Sequence, residues 1–90
     1  MDSLIEIYLD RANSEIMVAK SLKRLSEVEE DKINFEIPND ASFYSSVISH
    51  SYYAIFYATK ALLLTKKIET KSPEVHNKTF EEFKQNFVDN

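Results

Sequence analysis

The sequence predicts an all-α protein: an antiparallel, up-and-down bundle of three helices forming one domain over residues 1–90. Three observations predict it. The chain has no glycine, against ordinary usage of about 7%. The tight hairpin turns and bulges that sheet proteins rely on are then hard to build. Apolar residues recur at spacings of three and four, the helical period. And the stretch from Asp40 to Lys67 reads as one long helix, apolar on most of its circumference, on which the rest packs.

The first helix is expected at about residues 3–28. Ser3 and Glu6 have the spacing of a capping box. Ile5, Tyr8, Leu9, Ala12, Ile16 and Ala19 form its core stripe. Arg11 and Glu15 read as solvent-facing, four apart and able to pair with each other. The acids Glu27, Glu29, Glu30 and Asp31 fall where this helix should end. There they oppose the helix dipole and favour fraying. They read as a solvated segment, not as a metal site, and no metal or cofactor is expected. Ile33, Phe35 and Ile37 alternate with polar residues up to Pro38 and predict an extended connector lying on the bundle.

The second helix is expected at about 40–67, with Asn39 or Asp40 as its cap. Ala54, Ala58 and Ala61 share one side and let another helix come close. Tyr44, Ile48, Ile55 and Leu62 form the adjacent stripe, and Phe56 and Leu63 extend it. The remaining sector differs. Ser46, His50, Tyr53, Tyr57 and Lys60 recur at helical spacing and make an aromatic, polar face. Such a face is either a rim whose hydroxyls bond to neighbouring helices, or the wall of a ligand groove or interface.

The third helix is expected at about 73–88, with Ser72 as N-cap, Pro73 in the first position and Glu74 in the first turn. His76, Phe80, Phe83 and Phe87 share one side. A three-helix array would cover those rings poorly, so either a second chain or further C-terminal helices should cover them. The expectation is a homodimer, or a piece of a longer protein.

Composition narrows the function. There is no cysteine, hence no disulfide or thiolate site. Net charge is −4 and no basic run exists, so a strong non-specific hold on nucleic acid is not expected. The N-terminus lacks a signal-peptide pattern. The longest unbroken apolar run, Ala61 to Leu64, is far too short to cross a bilayer. These features predict a soluble, cytoplasmic protein with no membrane partner. No glycine-rich phosphate loop or Ser/His/Asp arrangement is present.

Two blocks of residues resemble the HEPN family of small helical domains. Tyr52-Tyr53-Ala54-Ile55-Phe56-Tyr57-Ala58 followed by Lys60-Ala61-Leu62-Leu63 is similar to its "YYAxFxAxxALL" helix. His76, Phe83, Phe87 and Val88 fall at the spacing of its "TH…F…FV" helix. Val75 and Lys78 depart from residues common in the family, and His50 stands near a position often held by arginine. The resemblance implies a bundle of four or five helices, usually dimeric. It also implies a place in toxin–antitoxin pairs with a small nucleotidyltransferase partner. Some members are metal-independent RNases with an Arg-x(4–6)-His motif. That motif is absent here: neither Arg11 nor Arg24 has a histidine at that distance, and in the Lys71–His76 pair lysine lacks the planar fork of arginine. In related chains an arginine-containing helix follows the region where this one stops.

Cleavage through a 2′-hydroxyl needs an acid–base group and charge stabilisation. His50 and His76 are the two side chains whose ordinary pKa is near neutral. Lys60 and Lys71 are the candidate phosphate contacts. The leading expectation is a module that works by association, binding a nucleotidyltransferase or a nucleotide or RNA ligand near His50, Tyr53, Tyr57, Lys60 and His76. The alternative is a metal-independent ribonuclease toxin assembled across a dimer, with His76, His50 or Lys71 in its active site.

Overall fold

The structure, a computed structural model, describes residues 3–89. It is all-α, with no strand among the described residues. α1 spans Ser3–Glu27, α2 Glu29–Asn34, α3 Tyr44–Leu64 and α4 Val75–Phe83, and a π-helical turn follows at Lys84–Val88.

α1 and α3 make the principal contact of the fold. Tyr8 near the start of α1 stacks on Tyr57 near the end of α3. Ser26 at the far end of α1 meets Phe43 at the start of α3. The two helices are therefore antiparallel. Tyr8, Ala12 and Ala19 of α1 are buried, as are Ala54, Phe56, Ala61 and Leu63 of α3. The small alanines allow close approach, as their spacing predicts.

The α1–α3 link departs from the expected frayed end and extended connector. Val28 is extended (φ −101°, ψ 110°) and interrupts the helix. Glu29, Glu30 and Asp31 then form the first turn of α2. At a helix N-terminus negative charge is favourable, so the same acids that would fray one helix start another. Ile33 and Phe35 face solvent instead of lying on the bundle. Lys32 goes inward instead: it is 6% exposed, and its Nζ donates to the Asn39 carbonyl at 2.6 Å.

Two helix ends close with the same device. Ile37 N–H donates to the Lys32 carbonyl and Glu36 N–H to that of Ile33; Ile68 N–H donates to the Leu63 carbonyl and Lys67 N–H to that of Leu64. These are Schellman pairs, which put one residue in the left-handed region, usually glycine. Here the residues are Glu36 (φ 57°) and Lys67 (φ 59°). A glycine-free chain still makes the turn, with side chains that prefer other geometry.

Neither Asn39 nor Asp40 caps α3. The helix starts at Tyr44, and the Phe43 N–H donates to Ser26 Oγ at 2.7 Å, so α1 supplies the partner. The Tyr44 hydroxyl donates to Glu27 Oε2 at 2.9 Å. α4 also starts late. Glu74 takes a left-handed conformation and Val75 is the first helical residue, which displaces Ser72 from the expected N-cap position. α4 lies on α3: His76 and Phe80 pack on Tyr52 and Phe56. Thr79 is 0% exposed, and its hydroxyl bonds that of Thr70 and the Val75 carbonyl.

α3 is not enclosed on every side by this chain. Ile48, Ile55 and Leu62 are 70%, 60% and 40% exposed, while Ala54 is buried. α1 covers one flank and α4 the other, and neither covers the ridge between. The phenylalanines of the third helix are better covered than expected. Phe80, Phe83 and Phe87 are half-buried, and Phe83 stacks on Phe87 at 5.6 Å.

Candidate functional site

The aromatic polar face of α3 is met by α1 along one edge and by α4 along the other. Tyr53, Tyr57 and Lys60 follow helical spacing there, and α1 meets them with Tyr8, Arg11 and Glu15. Antiparallel packing puts the early residues of α1 beside the late residues of α3. The Tyr8 and Tyr57 rings stack at 6.1 Å with 19° between planes. Lys60 Nζ lies 4.8 Å from the centre of the Tyr8 ring and 5.6 Å from that of Phe56. The Arg11 guanidinium lies 5.6 Å from the Tyr57 ring centre. Both cations thus sit on ring faces, where the quadrupole attracts them.

One turn further along, His50 Nδ1 meets Glu15 Oε2. Both side chains are partly exposed. A cleft of about 430 Å³ opens beside this seam, lined by Ile7, Asp10, Arg11, Ser14, Glu15 and Tyr57. The cleft therefore holds an arginine, two acids, a hydroxyl and an aromatic face.

His76 joins the same aromatic array from α4. Its ring stacks on Phe56 at 4.0 Å and 23° and presents an edge contact to Tyr53 at 5.9 Å. Its Nδ1 is 3.1 Å from the Tyr52 hydroxyl. Tyr53 lies 6.5 Å from Tyr57, which links the His76 end to the Tyr8 end. The fold thus brings Tyr53, Tyr57, Lys60 and His76 into one cluster, with His50 at its α1 edge. Lys71 stands apart: it is exposed, its carbonyl accepts from Lys78 Nζ at 3.4 Å, and among the described residues no hydrogen bond, ion pair or ring contact ties its side chain to the cluster.

Sequence reasoning missed three residues. Arg11 and Glu15, expected to pair with each other in solvent, turn instead to Tyr57 and His50. The signal was present: Tyr8, Arg11 and Glu15 are three and four apart and share one edge of α1. Tyr52, the third, lay outside the expected stripe but reaches His76. Among the described residues, no three His, Asp or Glu side chains gather as metal ligands would. No helix there is long and apolar enough to cross a membrane.

Comparison with known proteins gives two findings. A protein of Methanocaldococcus jannaschii named "Putative toxin MJ0142" is 33% identical over 75 residues, covering 82% of this chain and 49% of that protein. This chain thus spans about half the length of that relative. No solved structure matches it. The family model described as "HEPN domain" matches residues 5–88, which include both blocks of the α3 and α4 resemblance. The chain belongs to the HEPN domain family.

Proposed function

We propose that this chain works by association, as the HEPN module of a toxin–antitoxin-type pair. Its ligand carries a nucleotide: free, at an RNA end, or presented with a nucleotidyltransferase partner. The ligand docks on the seam of Tyr8, Arg11, Tyr57 and Lys60, next to His50 and Tyr53. The observation that carries this reading is the pairing of two cations with two stacked tyrosine rings. Cations attract phosphate, and the exposed Tyr53 ring beside the half-buried Tyr57 offers stacking to a base. The description of the archaeal relative as a toxin supports the same setting.

The alternative is a metal-independent ribonuclease. One observation favours it: a carboxylate, Glu15, touches the imidazole of His50 in the same seam as Arg11. A carboxylate partner orients an imidazole for proton transfer. A single experiment separates the two readings. A short labelled RNA is titrated with the chain, anisotropy reports binding, and a gel of the same samples reports cleavage. The association reading expects binding without cleavage, weakened about tenfold or more in Lys60→Ala and Tyr57→Ala. Cleavage lost in His50→Ala, with folding intact, would replace it by the ribonuclease reading. The absence of both binding and cleavage would remove both.

A further inference from the structure

The cleft beside the seam holds a group that phosphate binding does not use. Ile7, Asp10 and Ser14 are three and four apart and form the outer row of α1. Arg11 and Glu15 form the row next to Tyr57 of α3. Both inner side chains are engaged, Arg11 over the Tyr57 ring and Glu15 with His50. Asp10 and Ser14 are exposed, and among the described residues neither side chain makes a hydrogen bond or an ion pair. An unneutralised carboxylate repels phosphate. Beside Arg11 and Tyr57, the Asp10 carboxylate is matched instead to a part of the ligand that donates hydrogen bonds.

We propose that this cleft takes the base of the nucleotide and that Asp10 selects guanine, an inference that rests on the nucleotide reading of the seam. An ionised carboxylate only accepts hydrogen bonds, through two oxygens side by side. Among the four RNA bases, guanine alone sets two N–H donors together on its pairing edge, N1–H and the N2 amine. Adenine and cytosine place a ring-nitrogen acceptor beside their amine. Uracil flanks its one N–H with two carbonyls. Each of those three sets a lone pair against one carboxylate oxygen. A site whose acceptors are left unpaired by the wrong base discriminates against it.

Ser14 completes the match. It stands one helical turn beyond Asp10, with the two Cβ atoms about 5–6 Å apart, and its hydroxyl is placed to donate to guanine O6 while Asp10 accepts from N1–H and N2–H. Ile7 and Tyr57 offer apolar and ring surface to the base, and Arg11 and Lys60 remain for the phosphate. The volume of the cleft, about 430 Å³, falls within the usual range of about 300–1,000 Å³ for small-molecule sites.

Titration calorimetry with the 5′-monophosphates of guanosine, adenosine, cytidine and uridine tests this. Guanosine monophosphate is expected to bind at least about tenfold tighter than the other three. Inosine monophosphate, which lacks only the N2 amine, should bind about tenfold more weakly than its guanosine counterpart. Asp10→Asn exchanges one acceptor for a donor. That variant should lose the guanine preference and favour xanthosine monophosphate, which has a carbonyl where guanine has the amine. A merely damaged fold would not create a new preference. Equal binding of all four nucleotides, still weakened in Lys60→Ala, would overturn guanine selection and leave the nucleotide reading standing. A guanine preference unchanged in Asp10→Asn would overturn the role of Asp10. Failure of every mononucleotide to bind would overturn the proposal, and failure of the short RNA as well would remove the nucleotide reading itself.

Discussion

His50 on α3 meets Glu15 on α1 across a sequence separation of 35 residues, Nδ1 against Oε2. Among the described residues it is the one contact between an imidazole and a carboxylate that ties these two helices. Both groups are partly solvated, so screening limits its worth. A double-mutant cycle on His50→Ala and Glu15→Gln is expected to give a coupling of about 0.5–1 kcal/mol, read from urea midpoints near neutral pH. Zero coupling would mean that the two groups meet without holding the helices together.

Thr70 and Thr79 form a second test of packing. Thr79 is fully enclosed and its hydroxyl bonds that of Thr70. Thr79→Val removes one partner and leaves the other hydroxyl buried and unpaired, which is expected to cost about 1–3 kcal/mol. Adding Thr70→Val should recover part of that loss, because neither hydroxyl is then stranded. Thermal unfolding of the two variants checks the order.

Lys67 occupies the left-handed position that closes α3. Lys67→Gly is expected to stabilise the chain by about 0.5–1 kcal/mol, since glycine carries no Cβ penalty there. The same change at Glu36 should act in the same direction. Destabilisation by Lys67→Gly would show that the side chain does more at this turn than its geometry indicates.

Glu27 and Tyr44 link the end of α1 to the start of α3. The Tyr44 hydroxyl, and after it Lys23, hold the Glu27 carboxyl below the usual carboxylate range. Glu27 in return raises the Tyr44 hydroxyl above the usual phenol range. The Glu27 contribution is in place above the unfolded carboxylate pKa of about 4.3 and is lost as pH falls through the lowered value. The Tyr44 contribution is in place below about pH 10 and is lost as pH rises through the raised value. Tyr44→Phe is expected to flatten both limbs of a stability–pH profile. An unchanged acid limb would show that Lys23 alone sets the Glu27 carboxyl.

The long helices and the family were legible because both rest on repeated features. Alanines at helical spacing placed α1 against α3, and the Tyr52–Leu63 block and the His76–Val88 block carried the resemblance. What was misread had local causes. The acids at 29–31 suit a helix start as well as they oppose a helix end, and only Val28 decides between the two. Glu74 in a left-handed conformation moved the start of α4 past a sequence that reads as a cap. The expected all-round enclosure of α3 failed at Ile48, Ile55 and Leu62. Apolar character does not say whether a neighbour in the same chain or another molecule covers it. In the site, His50, Tyr53, Tyr57 and Lys60 were legible as one face of α3. Arg11 and Glu15 were not, because charged residues on an outer helix read as solvated until the facing helix is placed.

Amide chemical shifts of the chain, followed by NMR as the short RNA is added, test the ligand seam most directly. Perturbations are expected to gather at Tyr8, Arg11, Glu15, His50, Tyr57 and Lys60, on one side of α3. Perturbations centred on Ile48, Ile55 and Leu62, or scattered over the surface with no focus at the seam, would contradict the assignment of that side to the ligand.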